Sequence, residues 1–295
     1  MNRAKGWRIQ TGIRTNPLVS VAIPVSEFVR KRFSRVRASG DEGKYKNQVD
    51  KGRRLTIDVR HGSMVANTIG IQMPADFPLA AYNDIHSHTA PLQPRFPDAF
   101  RHYAGAWKAV AIRFRSAAEA DDVFQSSLNE QSSVEQRFRQ EVALFQFFTS
   151  SVSVLDSCAY ALHAIGNMID AAAFPLTGQS LRTANFRGVA KSFEARFPAD
   201  SLAVALVSIN ADTLATELRD FRNFLTHRVA SSRSYVMPTT GPNPPVRWEV
   251  SHLEALSGVQ ALPIASQLTG RYRSWVIGRL DVLFAAINSF VRSRL

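Results

Sequence analysis

From residue 98 onward, apolar positions recur every three and four residues, the spacing of a helix with one buried face. The pattern predicts helices at about 98–126, 133–171, 185–196, 200–230 and 266–293. Several carry start signals. Ser132 or Ser133 stands ahead of Glu135 and Gln136, in the arrangement of a capping box. Pro198, Ala199, Asp200 and Ser201 supply cap residues for the fourth helix. The run from Phe174 to Gly178 ends the second. The fourth helix shows the clearest stripe, with Leu202, Leu206, Ile209, Leu214, Leu218, Phe221 and Leu225 on its core side.

Residues 1–96 read differently. Short apolar runs at 18–23 and 55–59 alternate with charges and glycines, the texture of irregular or β-containing structure. Prolines 74, 78, 91, 94 and 97 mark 74–98 as a linker or wrapped loop. A second insertion, 231–265, is rich in Ser, Pro and Gly. Its apolar stretches around Tyr235 and at 246–250 suit a hairpin. The expected fold is mainly α. An antiparallel bundle of about five helices fills 97–295, preceded by a basic N-terminal segment over 1–96.

Composition adds limits. With 295 residues, 45% hydrophobic and 20% charged, the chain can bury a substantial core and is not of the disordered class. The single cysteine, Cys158, excludes an intramolecular disulfide and a cysteine-built zinc site, and fits a reduced, cytoplasmic setting. No segment reads as membrane-spanning, since the apolar stretch 142–169 contains Asp156 and His163. The apolar run at 18–25 is a weak imitation of a signal peptide, broken by Ser20 and Pro24.

Charge refines this. The net charge is +12. Residues 1–96 hold 16 Lys/Arg against 7 Asp/Glu, while 97–295 hold 20 against 17. Polyanion attraction is therefore concentrated in the first third, where 29–37 reads either as a phosphate-contacting arm or as a solvated face.

Candidate chemistry lies at the end of the fourth helix, where Glu217, Arg219, Asp220, Arg222, Asn223, Thr226, His227 and Arg228 crowd against the apolar stripe. Polar groups held against a core face are expensive, which makes them site candidates. The string from Arg222 through Asn223 to His227, with four residues between Arg and His, resembles the signature of the HEPN family. That signature is an Arg, usually followed by a polar residue, then a His after four to six positions on a late helix of a helical bundle. Other Arg/His pairs, Arg247/His252, Arg54/His61 and Arg95/His102, share the spacing but fall in segments read as strand, loop or linker.

The resemblance implies a metal-independent endoribonuclease, with no cofactor. Many family members cut RNA as toxins or defence proteins, and others only bind RNA or nucleotides. It carries Arg222, Asn223 and His227 as the catalytic set. Such chemistry needs a proton-transfer group, which a neutral imidazole supplies near neutral pH, and a cation for the crowded phosphate, which a guanidinium supplies. Asn223 would orient the phosphate or the imidazole, while Arg219, Thr226 and Arg228 would contact flanking phosphates. The implied partners are RNA, a second copy of the chain facing its own motif, and an antitoxin or regulatory protein. The alternative is a non-catalytic module that binds RNA, nucleotide or a partner.

Other motifs read blandly. His86 and His88, one apart on a strand, would face one metal, but the later sequence lacks the further ligands of a metal barrel, and a polar loop fits better. Cys158 and His163 suit the interior of the second helix, and Phe145, Phe147 and Phe148 suit its core side.

Overall fold

The computed structural model describes residues 70–130, 133–227, 232–234, 246–251 and 259–295, without the side chains of His227, Ser251 and Val259. All belong to one compact unit, Asp58–Leu295. The basic run 29–37, the pair Arg54/His61, Trp7, Tyr235, Arg228 and His252 lie outside the described residues.

The protein is a mainly helical bundle. Among the described residues, eight α-helices and one small sheet appear: α1 (Leu79–Thr89), α2 (Pro97–Ser127), α3 (Val134–Ile169), α4 (Gly178–Thr183), α5 (Phe186–Arg196), α6 (Ser201–Ala211), α7 (Thr213–His227), β1 (Ser232–Ser234), β2 (Arg247–Ser251), β3 (Val259–Pro263) and α8 (Gln267–Arg294).

The central pair is α2 and α3. Pro97 opens α2, where its missing N–H costs nothing. Ser133 caps α3, its Oγ accepting from Gln136 N at 3.0 Å. The two helices run antiparallel, as their rungs show. Gln136 donates to Ser127 O near the turn, Ser116 meets Ser150 at 3.1 Å midway, and His102 meets Tyr160 at 2.8 Å towards the far end. Their shared face buries Trp107, Val110, Phe114, Phe147, Phe148 and Leu155.

Three expectations need correction. The proline-rich stretch contains a helix, α1. Pro78 stands just before its first turn and Pro91 just after its last, positions where proline is harmless, and no proline falls between. Tyr82 of α1 is buried, stacks on Trp107 with centroids 4.8 Å apart and donates to Trp107 O at 2.8 Å. The helical body therefore begins before residue 97. His86 and His88 consequently stand about 200° apart around a helix and do not share a face. His86 stacks near Tyr103, while His88 Nδ1 lies 2.7 Å from Asp84 O.

Second, the single helix expected over 200–230 is two. Asp212 leaves the helix with ψ 133°, its carboxylate accepts from Leu214 N at 2.9 Å and thereby restarts α7, and the axis bends by 58°. Trp275 and Arg279 of α8 donate to the other oxygen at 2.8 and 2.7 Å. Burial alone would raise the Asp212 carboxyl, but these donors and the Arg279 charge hold it below its ordinary range. The apolar stripe still works across the break, with Leu202, Leu206, Ile209, Leu218 and Phe221 buried.

Third, the β structure expected over 231–265 is present but larger. It is one strand larger than a hairpin, an antiparallel sheet ordered β1-β2-β3 with Arg233 opposite Trp248 and Trp248 opposite Leu262. Trp248 and Val250 are fully buried, and Trp248 stacks on Phe221 of α7 and Phe148 of α3. Arg233 clamps β1 to α3 through Glu141 at 2.7 Å and Gln140 at 2.7 Å.

Cys158 is fully buried, and burial pushes its thiol up. Phe147 and Phe148 are core, but Phe145 is 43% exposed, one helical step off the buried face. By length and composition, α3 and α8 could each cross a membrane; in this fold 61% and 39% of their most apolar windows are buried.

Candidate functional site

The polar side of α7 opens onto a cavity of about 460 Å³. Thr216, Arg219, Asp220, Arg222 and Asn223 form one wall. Asp156 of α3, Asn210 of α6 and the first residues of α5, with Asn185 before them, form the rest. Local sequence explains each placement. Phe221 and Leu218 are pulled into the core, which leaves Arg219 and Arg222 half-buried and Asn223 exposed on the polar side, while Asp220 stays buried. Asn185 caps α5 by accepting from Gly188 N at 2.9 Å, and Asp156 accepts from Phe186 N at 3.0 Å. The N-terminus of α5, with its partial positive charge, thus meets the cavity beside Arg187.

The cavity brings together three guanidinium groups. Arg219 is held in place, donating to Asn210 Oδ1 at 3.2 Å and Thr216 Oγ1 at 3.1 Å. Arg187 and Arg222 make no ion pair among the described residues, and the half-buried Arg222 leaves its Nε buried without a hydrogen-bond partner there. A buried N–H without an acceptor costs about 1–3 kcal/mol, so the Arg222 side chain is held in this position at a cost. Planar guanidinium forks suit phosphate or carboxylate oxygens.

Of the residues expected from sequence, Arg219, Arg222 and Asn223 line the cavity together. Thr226 does not, because its Oγ1 turns back to donate to Arg222 O at 2.7 Å. His227 closes α7. At about 100° per residue, position 227 falls about 40° from Asn223 and about 140° from Arg222. The histidine position therefore shares its stripe with Asn223, and Arg222 sits on the flank. Arg228 lies outside the described residues.

Sequence reasoning missed Asp156, Asn185, Arg187 and Asn210. Asn185 had a readable signal, a cap residue opening a helix. The others come from separate helices, and nothing local distinguishes them. His163 is buried with Nε2 3.1 Å from Pro175 O, and burial lowers its pKa, as expected of an interior histidine. No group of three or more metal-ligating side chains occurs among the described residues. Comparison with family models, curated proteins and solved structures gave no match.

Proposed function

We propose that this chain binds RNA through the α7 cavity, with Arg222 and Arg187 taking phosphate oxygens and Asn223 orienting the bound group. The observation that carries this reading is the Arg222 guanidinium, which lines a polar cavity with its Nε buried and unpartnered beside a second arginine without an ion pair. Arg219 serves as a fixed wall, and Thr226 acts only through its backbone contact. A second reading extends the first. The HEPN resemblance supplies metal-independent endoribonuclease activity, with His227 as acid/base, and the position of 227 on the Asn223 stripe favours it. In that reading two copies pair their motifs, the protein works in the cytoplasm, and an antitoxin or regulatory protein restrains it.

The test is a salt titration of binding to labelled single-stranded RNA in chelator, with gel analysis of the same samples. Each phosphate contact removed should lower the slope of log K against log salt by about 0.7. Arg222→Ala and Arg187→Ala should each show that loss. Binding that is absent or insensitive to both substitutions would refute the reading. Cleavage abolished by His227→Ala with binding kept would support the endoribonuclease, and binding without cleavage would leave the binding module alone.

A further inference from the structure

A second cavity, of about 530 Å³, lies against the first and shares two of its wall residues, Asp156 and Asn185. It is built from α2, α3 and α4, and nothing in the α7 motif reaches it. Its character differs from that of the first. Ala106, Ala109 and Leu181 give it an apolar floor, while Arg101, Arg113 and Arg182 ring it with positive charge. Arg113 is anchored, donating to Ser153 O at 3.2 Å and to Ser157 Oγ. Arg101 pairs with the exposed Asp98 at 2.9 Å. Arg182 is exposed and makes no ion pair among the described residues.

On one side His102 and Tyr160 meet through Nδ1 and the hydroxyl at 2.8 Å, with ring centroids 5.8 Å apart. Burial raises the Tyr160 phenol, so it stays protonated and can donate to Nδ1. With Nδ1 accepting, Nε2 carries the hydrogen; with Nδ1 donating, the Tyr160 O–H is left to donate, so in either tautomer the pair offers an aromatic face together with one donor.

An apolar floor, an aromatic pair with a hydrogen-bond donor, and arginines at the rim are the elements that take a nucleobase with its phosphate. We infer that this cavity is a second nucleotide subsite, so that the ligand is a single-stranded RNA segment of two or more nucleotides. It runs from the α7 cavity across the shared Asp156–Asn185 wall, with one base against His102 and Tyr160 and a phosphate on Arg182. The inference rests on the RNA-binding reading above and assigns residues that the Arg/His motif leaves out.

The experiment compares a nucleoside 5′-monophosphate with di- and tetranucleotides of RNA by calorimetric or anisotropy titration of the full chain. The wild-type protein should bind the longer oligomers at least tenfold more tightly than the monophosphate. Arg182→Ala and Tyr160→Leu should each remove about tenfold of the oligomer affinity, the scale of one phosphate contact or one stacked base. Arg222→Ala should weaken every ligand. Arg182 is exposed, so its variant keeps the test valid if Tyr160→Leu unfolds. Oligomers that bind no better than the monophosphate would overturn the subsite, as would Arg182 and Tyr160 variants that match the wild type, and in both cases the α7 reading would stand. No binding of any ligand would overturn both.

Discussion

Phe221 decides whether α7 holds the cavity in place. It is fully buried, and its ring sits 4.6 Å from Phe148 of α3, 5.8 Å from Trp248 of β2 and 5.7 Å from Tyr272 of α8. Three separate elements thus grip the residue immediately before Arg222. Truncating a buried Phe to Ala costs about 3–5 kcal/mol from lost transfer energy and the cavity left behind. Each aromatic pair adds about 0.5–1.5 kcal/mol beyond burial, so Phe221→Ala should cost at least about 4 kcal/mol. For a body of this size, that corresponds to a fall in Tm of about 8–16 °C. Phe221→Leu keeps most of the volume and should cost about 1.5 kcal/mol. Arg222→Ala, about 100° further around the same turn, should cost no more than about 1 kcal/mol while removing the phosphate contact. Urea unfolding followed by far-ultraviolet circular dichroism would show the Phe221→Ala loss as a lower midpoint at unchanged slope. A cost below about 1 kcal/mol would refute the packing of α7 and, with it, the placement of the cavity.

Two further outcomes test the frame. Asp121 is 4% exposed and accepts from Thr269 Oγ1 at 2.6 Å and Arg273 Nη1 at 2.9 Å, tying α2 to α8. Arg273 keeps Asp76 and Asp122, so Asp121→Asn should cost about 3 kcal/mol, the lower end for breaking a buried pair, and a denaturation midpoint equal to that of the wild type would contradict this. Burial lowers the pKa of His163, outweighing its contact with Pro175 O, so the unfolded state binds the proton more readily. That stability is full above the unfolded value of about 6.5 and is lost as pH falls through the lower folded value. Tm should drop between pH 7.5 and 5, and His163→Gln, which keeps a donor towards Pro175 O but cannot titrate, should flatten the drop; an unchanged slope would count against it. Asp84, Asp170 and Asp212, held below the ordinary carboxylate range, act in a separate window at more acidic pH.

Much of the helical frame was legible in the residues. Periodicity placed α2, α3, α5 and α8 close to their observed bounds, because an apolar stripe and a cap residue are local signals. Ser133, Asn185 and Asp200 each accept from a backbone N–H at the helix start they mark. Where local signals conflicted, the reading failed. Five prolines outweighed the amphipathic turn between Pro78 and Pro91, although only their positions mattered and not their number. Asp212 looked like one polar residue inside a long helix. Its role as a break depends on Trp275 and Arg279, more than sixty positions away.

By itself, the sequence determined a helical body with a polar α7 face carrying Arg219, Arg222 and Asn223, since these follow from a 3.6-residue period and one strong stripe. Only the tertiary structure decided what that face confronts. Asp156, Asn185, Arg187 and Asn210 arrive from three other helices, and His102 joins Tyr160 across 58 positions. A cavity is a property of packed surfaces, and no local pattern records which distant side chains will share its walls.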